Sequence, residues 1–170
     1  MNEHPDKNAF LSARVNFLVC LVLAVLIFSV YFQVKDHDFV SFDDNWYVAE
    51  NFHVRSGLSL ENIKWSFKLQ KTKASHWHPV TWISHMLDCQ LFGLDPGRHY
   101  LSSLFIHVLT AIMLFLLFNK MTGTLWRSAF VAALFGFHPL SVNSVAWIAE
   151  RKNVLSTFSG QPHCWHIFTT

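Results

Sequence analysis

The chain has 170 residues, 52% of them hydrophobic and 14% charged, with seventeen Phe and seven Trp. That balance is too apolar for an ordinary soluble domain and points to a membrane protein. A net charge of +2 with no basic stripe argues against a nucleic-acid partner, and Cys20, Cys89 and Cys164 lack the spacing of a disulfide frame or zinc ribbon.

Residues 1–14 form a short N-terminal segment carrying Lys7 and Arg14. Residues 15–34, VNFLVCLVLAVLIFSVYFQV, contain no charge and span about 30 Å as a helix, the thickness of the hydrocarbon core. The run is too long for a signal-peptide core and no small-x-small site follows, so an uncleaved first transmembrane helix is expected. Residues 100–118, YLSSLFIHVLTAIMLFLLF, predict a second span, with His107 as a helix–helix hydrogen bonder. A loop at 119–127 leads to a third apolar run, 128–138. Pro139 disfavours helical dihedrals at His138, so a break is expected there, followed by a short interfacial or re-entrant helix within 139–158. The expected class is an all-α membrane protein with about three transmembrane helices.

Three alternating spans place loop 35–99 and segment 138–152 on one side of the membrane. Positive charges are balanced: Lys7, Arg14, Lys120 and Arg127 flank one side, and Lys35, Arg98, Arg151 and Lys152 the other. The N-terminal amine, with Asp36 and Asp38 beside Lys35, tips the reading to a cytoplasmic N-terminus and an extracytoplasmic loop. Within that loop, residues 79–91 predict an amphipathic helix lying at the interface. Ile83, Met86, Leu87 and Leu91 form its apolar stripe; Thr81, Ser84, His85 and Asp88 form its polar one.

Three groups of residues invite chemistry. Asp43 and Asp44, between Phe42 and Trp46, form either a general-base pair or a solvated acidic turn with Asp44 as a helix cap. Glu150, Arg151 and Lys152 form either a phosphate site or a membrane-edge cluster with snorkelling side chains. His76, His78 and His85 with Asp88 are metal-ligand types, but they lack zinc spacing and no metal is expected there.

The segments FVSFDDNWYVAEN, WHPVTWISHMLDCQLFGLDPGRHYLSSLFIHV and MTGTLWRSAFVAALFGFHPLSVNSVAWIAERKNVLS, taken in order, carry a resemblance over residues 15–158. They resemble the N-terminal membrane region of bacterial tetratricopeptide-repeat membrane proteins. Those are similar in turn to the transmembrane O-mannosyltransferases with tetratricopeptide repeats, of the GT-C glycosyltransferase fold. The resemblance implies a partial GT-C-like architecture, a bacterial inner-membrane location and a polyprenyl-phosphate-linked sugar as donor. It implies transfer to protein hydroxyls, with the lipid bilayer and an acceptor protein as partners. Asp43 and Asp44 match the family's catalytic acidic pair. His138, Arg151 and Lys152 match the donor-phosphate motif, supported by Glu150, Trp147, His78 and His85; no cofactor metal is implied. The family pattern H-P-L-H-V-E-S-V-A-W-V-A-E-R-K-D-V-L-S has Ser141, Asn143 and Asn153 here in place of His, Glu and Asp. With residues 159–170 read as an aberrant tail, the expectation is a truncated, inactive fragment of a membrane glycosyltransferase. The alternative is a non-catalytic membrane protein that binds lipid or a partner.

Overall fold

The computed structural model describes residues 7–40, 43–68 and 77–169, which contain helices and no strand. Helix α1 (Lys7–Tyr31) continues as a 3₁₀ turn over Phe32–Asp36. It lacks Gly and Pro throughout, so nothing interrupts its hydrogen-bond ladder. Much of its apolar surface points outward, including Phe17, Leu18, Val22 and Val25. Such a surface suits hydrocarbon rather than water.

Loop elements follow: a π-helical turn (Asn45–Ala49), α2 (Phe52–Arg55), α3 (Leu60–Ser66) and α4 (Pro79–Phe92). Asn51 and Ser59 start α2 and α3 by accepting backbone N–H groups with their side chains. Helix α5 (Pro96–Thr122) opens with Asp95 accepting from Arg98 N–H and Pro96 in the first turn. It is followed by α6 (Leu125–Phe137), α7 (Pro139–Val145), a 3₁₀ turn (Ile148–Glu150) and α8 (Arg151–Thr169).

Two helical stretches, Leu11–Asp36 and Pro96–Thr122, are long and apolar enough to cross a membrane. The third expected span becomes a broken unit. With thirteen residues, α6 reaches only about 20 Å, and α7 leaves it at a bend of 57°. His138 sits at the bend in an extended conformation (φ −61°, ψ 132°), as the Pro139 ring requires.

Helix α5 is the spine. Asn119 meets Asn16, while His107 meets Tyr31, so α1 runs antiparallel to it. Ser128 lies beside Thr122 and His107 Nε2 lies 3.2 Å from the Gly136 carbonyl, so α6 is antiparallel too. Thus His107 does join two helices. Arg151 meets His99, Gln161 donates to the Thr110 carbonyl and Lys120 lies over Trp165; α8 therefore runs parallel to α5. The tail read from sequence as aberrant is helical to Thr169 and part of this packing.

Small residues set the closest approaches. A Cβ on Gly97 would collide with the Lys35 carbonyl, and one on Gly136 would lie 2.5 Å from Ile27 Cδ1. These glycines let α5 and α6 close on α1. Ile27, Leu104, Val108 and Val145 fill the middle of the bundle, and Leu23, Phe115 and Ala132 its far end. At the near end Tyr47, Val48, Trp82, Met86, Tyr100 and Ile148 bind the loop helices to the bundle. Asp44, Trp147, Glu150, Arg151, Lys152 and His85 lie on elements of that end, whereas His138 sits at the α6–α7 bend.

The orientation of α4 corrects the sequence reading. His85 and Asp88 face inward with Trp82 and Met86, whereas Leu87 and Leu91 are exposed at 44% and 60%. The polar stripe turns in because its partner, Arg151, is itself inside. The exposed leucines give α4 an apolar outer face.

Candidate functional site

The acidic pair divides into an inner and an outer carboxylate. Asp44 is fully buried, while Asp43 is half-buried. Asp44 Oδ1 accepts from Ala149 N–H at 3.0 Å; Oδ2 accepts from Val40 N–H at 3.0 Å and the Tyr100 hydroxyl at 3.4 Å. The side chain therefore does not cap the turn that follows it. Burial raises the Asp44 carboxyl above its ordinary range, and these hydrogen bonds work against that rise. The bond to Ala149 joins positions 105 residues apart and seats the acidic turn directly on the Ile148–Glu150 turn. Loop and second motif thus meet.

Around this seam lies the exposed part of the site. Lys152 Nζ is 2.9 Å from Glu150 Oε1 and 6.0 Å from the Tyr47 ring centre. Burial first, then the opposed influences of Lys152, Asp43 and Glu150, leave the Tyr47 hydroxyl pKa raised. Tyr47 N–H also donates to the Asp43 carbonyl at 3.0 Å, so Asp43 and Lys152 both neighbour this one residue. Asn153, at a position where a carboxylate is expected, donates to Glu150 Oε2 at 2.6 Å. Trp147 packs against the aromatic core beneath the turn.

Arg151 takes the opposite direction from its neighbour. Fully buried, it donates from Nε to Ser103 Oγ (2.9 Å) and from Nη2 to the His99 carbonyl (2.5 Å). Its Nη1 lies 2.5 Å from Asp88 Oδ2, and Ser102 donates to Asp88 Oδ1 at 3.0 Å. Burial lowers the guanidinium pKa and Asp88 counters the fall; arginine starts so high that the group stays charged. This is a buried ion pair tying α8 to α4 and α5, rather than a snorkelling surface cation. One edge borders a cleft of about 630 Å³ between α4 and α5, walled by Leu87, Leu91, Leu101, Phe105 and Ile106.

The remaining site residues of the sequence reading are placed apart. His138 is exposed at the α6–α7 bend, where Nδ1 accepts from Leu140 N–H. No hydrogen bond or ion pair among the described residues joins it to Lys152. His78 precedes α4, and His76 lies outside the described residues. His85 is fully buried beside Arg151 and His99; burial chiefly, and those two neighbours, push its pKa well below the usual histidine value. Sequence reasoning did not single out His99, Tyr100 or Ser103. Their i, i+4 spacing from His99 to Ser103, at the start of a span, was the available signal.

Comparison with known proteins yields distant similarity to protein O-mannosyl-transferase TMTC1 of Mus musculus, 30% identical over 121 residues, and of Homo sapiens, 28% identical over the same length. The match covers 67% of this chain but only 13% and 14% of those proteins. No protein-family description matches the chain, and no solved structure does either.

Proposed function

We propose that this chain is the donor-binding and general-base portion of a GT-C-type membrane glycosyltransferase that moves a sugar from polyprenyl phosphate to protein hydroxyls. The observation that carries the reading is the seam between Asp44 and Ala149, with a half-exposed Asp43 and a half-exposed Lys152 both neighbouring Tyr47. The similarity to two proteins named as O-mannosyl-transferases supplies the reaction class.

In this reading Asp43 takes the proton of the acceptor hydroxyl as its oxygen bonds to the anomeric carbon. The bond from that carbon to the phosphate oxygen breaks, and the electron pair leaves with the polyprenyl phosphate. A phosphate leaves as a stable anion and needs no acid. Lys152, steadied by Glu150, supplies hydrogen-bond donors to it, and His138 adds another after rotation of the bend. Arg151 and Asp44 act as positioning residues: one fixes the start of α8, the other fixes the two turns against each other. The site faces the extracytoplasmic side of a bacterial inner membrane, with the N-terminus cytoplasmic.

The test is a graft. Residues 35–158 replace the corresponding segment of a full-length relative, and transfer from a polyprenyl-phosphate sugar to an acceptor peptide is measured in membranes. Asp43→Asn should lower the rate by about two to four orders of magnitude without loss of insertion. Unchanged transfer in Asp43→Asn would refute the base assignment.

A second reading, a non-catalytic lipid-binding region, is favoured by Ser141, Asn143 and Asn153, which lack the ionisable groups of the family pattern. It predicts a graft that is inactive until Asn143→Glu and Asn153→Asp restore the carboxylates.

A further inference from the structure

We propose that His85, Asp88 and His99 form a zinc-binding site beneath the Arg151 ion pair, tying α4 to the start of α5. One ligand atom from each residue lies within 4.8 Å of the other two, and all three side chains are buried. This set differs from the sequence grouping of His76, His78, His85 and Asp88, because α4 turns its polar stripe toward α5.

Hydrogen bonding defines what the cluster needs. His99 Nε2 lies 3.0 Å from the Gly93 carbonyl, an acceptor, so that nitrogen carries the proton. In the neutral ring, Nδ1 is then a lone pair, and it faces Asp88 Oδ2 at 3.6 Å. Arg151 already sits at that carboxylate oxygen, so what is left unmet is the Nδ1 lone pair, which a proton or a metal ion could occupy. His85 stacks beside His99 with ring centres 6.2 Å apart, and among the described residues neither of its ring nitrogens has a hydrogen-bond partner. A buried imidazole without partners is costly, and a metal offers its lone pair one. Two imidazoles and a carboxylate suit zinc, with a fourth position left open. The Gly93 carbonyl is the outer partner that metal-bound histidines characteristically have.

Arg151 gives the proposal a distinctive signature. Its guanidinium already neutralises Asp88, so zinc adds charge beside a fixed cation. Zinc and Arg151 therefore compete for one carboxylate. Removing the guanidinium should tighten zinc binding, whereas removing a true ligand should abolish it.

The test uses the whole chain in detergent, with His163→Asn, Cys164→Ser and His166→Asn removing the ligands of the α8 tail. After zinc loading and gel filtration, metal content should be about one per chain in this background. It should fall to background in His85→Gln and in His99→Gln. Cobalt in place of zinc should give tetrahedral visible absorption, lost in the same variants. Arg151→Gln should bind zinc at least about tenfold more tightly, and zinc should raise its melting temperature more than that of the parent. Metal absent from the parent after loading, or equal in the parent and His85→Gln, would overturn the site. If Arg151→Gln does not fold, the histidine variants and the cobalt spectrum decide alone.

Discussion

Two adjacent charged pairs, Asp43–Asp44 and Arg151–Lys152, meet at one end of the bundle and are built alike. In each, one member goes inside and is consumed by hydrogen bonds, and its neighbour stays half-exposed. The cause is helical geometry: consecutive residues on a helical turn point about 100° apart, so both cannot face one way. The difference lies in the partners. Asp44 is satisfied by two backbone N–H groups and a hydroxyl, whereas Arg151 depends on a second full charge, Asp88. Like-looking charges in sequence thus divide into those that build the site and those free to act in it.

The largest effect should come from breaking the charged pair. Arg151→Ala leaves Asp88 buried without its counterion and should cost about 3–5 kcal/mol, read from thermal unfolding in detergent. A loss below about 1 kcal/mol would mean that water reaches the pair and that it is a surface contact. Asp44→Ala should come next. It strands the N–H groups of Val40 and Ala149 at a cost of about 2–3 kcal/mol, and it should loosen the seam enough for faster hydrogen exchange at Ala149. Equal exchange in parent and variant would show that the turns are held by packing alone.

The acidity of Asp44 sharpens the comparison further. Its folded pKa is raised above 3.8, so its contribution to stability is complete below 3.8 and lost as pH rises through the folded value. The facing titratable groups are Asp43 and Tyr100. The cost of Asp44→Asn should therefore be greater in mild acid than at neutral pH; a cost that grows toward neutrality would reverse the sign and show that hydrogen bonding outweighs burial. The outer partners should matter least. Asp43→Asn and Lys152→Ala should each change stability by no more than about 0.5 kcal/mol, and a loss above 1 kcal/mol in either would erase the distinction between inner and outer members.

The first two spans, the bend at His138–Pro139 and the nearness of loop to second motif were legible because they rest on local rules: charge-free length, the constraint before proline, and alternation of direction. The inward face of α4 was not legible. A stripe of Thr81, His85 and Asp88 reads as solvent-facing until a buried partner is known, and Arg151 lies 63 positions beyond Asp88 on a helix whose packing sequence periodicity did not reveal. The same distance hid the separate roles of Asp43 and Asp44, since the groups that claim Asp44 come from Val40, Tyr100 and Ala149. That residues past 158 are helical and pack along α5 was hidden for a different reason. Their polarity argued against a span, but a helix lying along α5 needs only one compatible face.

The pairing of Asp44 with Ala149 and of Asp88 with Arg151 has a consequence for biosynthesis. Both bonds join early residues to a turn made last among the parts they connect. While the ribosome is still short of codon 151, Asp44 has only Val40 and Tyr100 to bond and Asp88 lacks its counterion, so neither carboxylate is fully compensated. Emergence of the Ile148–Arg151 segment then closes both at once, so the seam acts as a checkpoint on order of assembly. A synonymous slowing of translation just before that segment should lengthen the life of the open intermediate, visible as prolonged protease sensitivity of loop 35–99 in nascent chains.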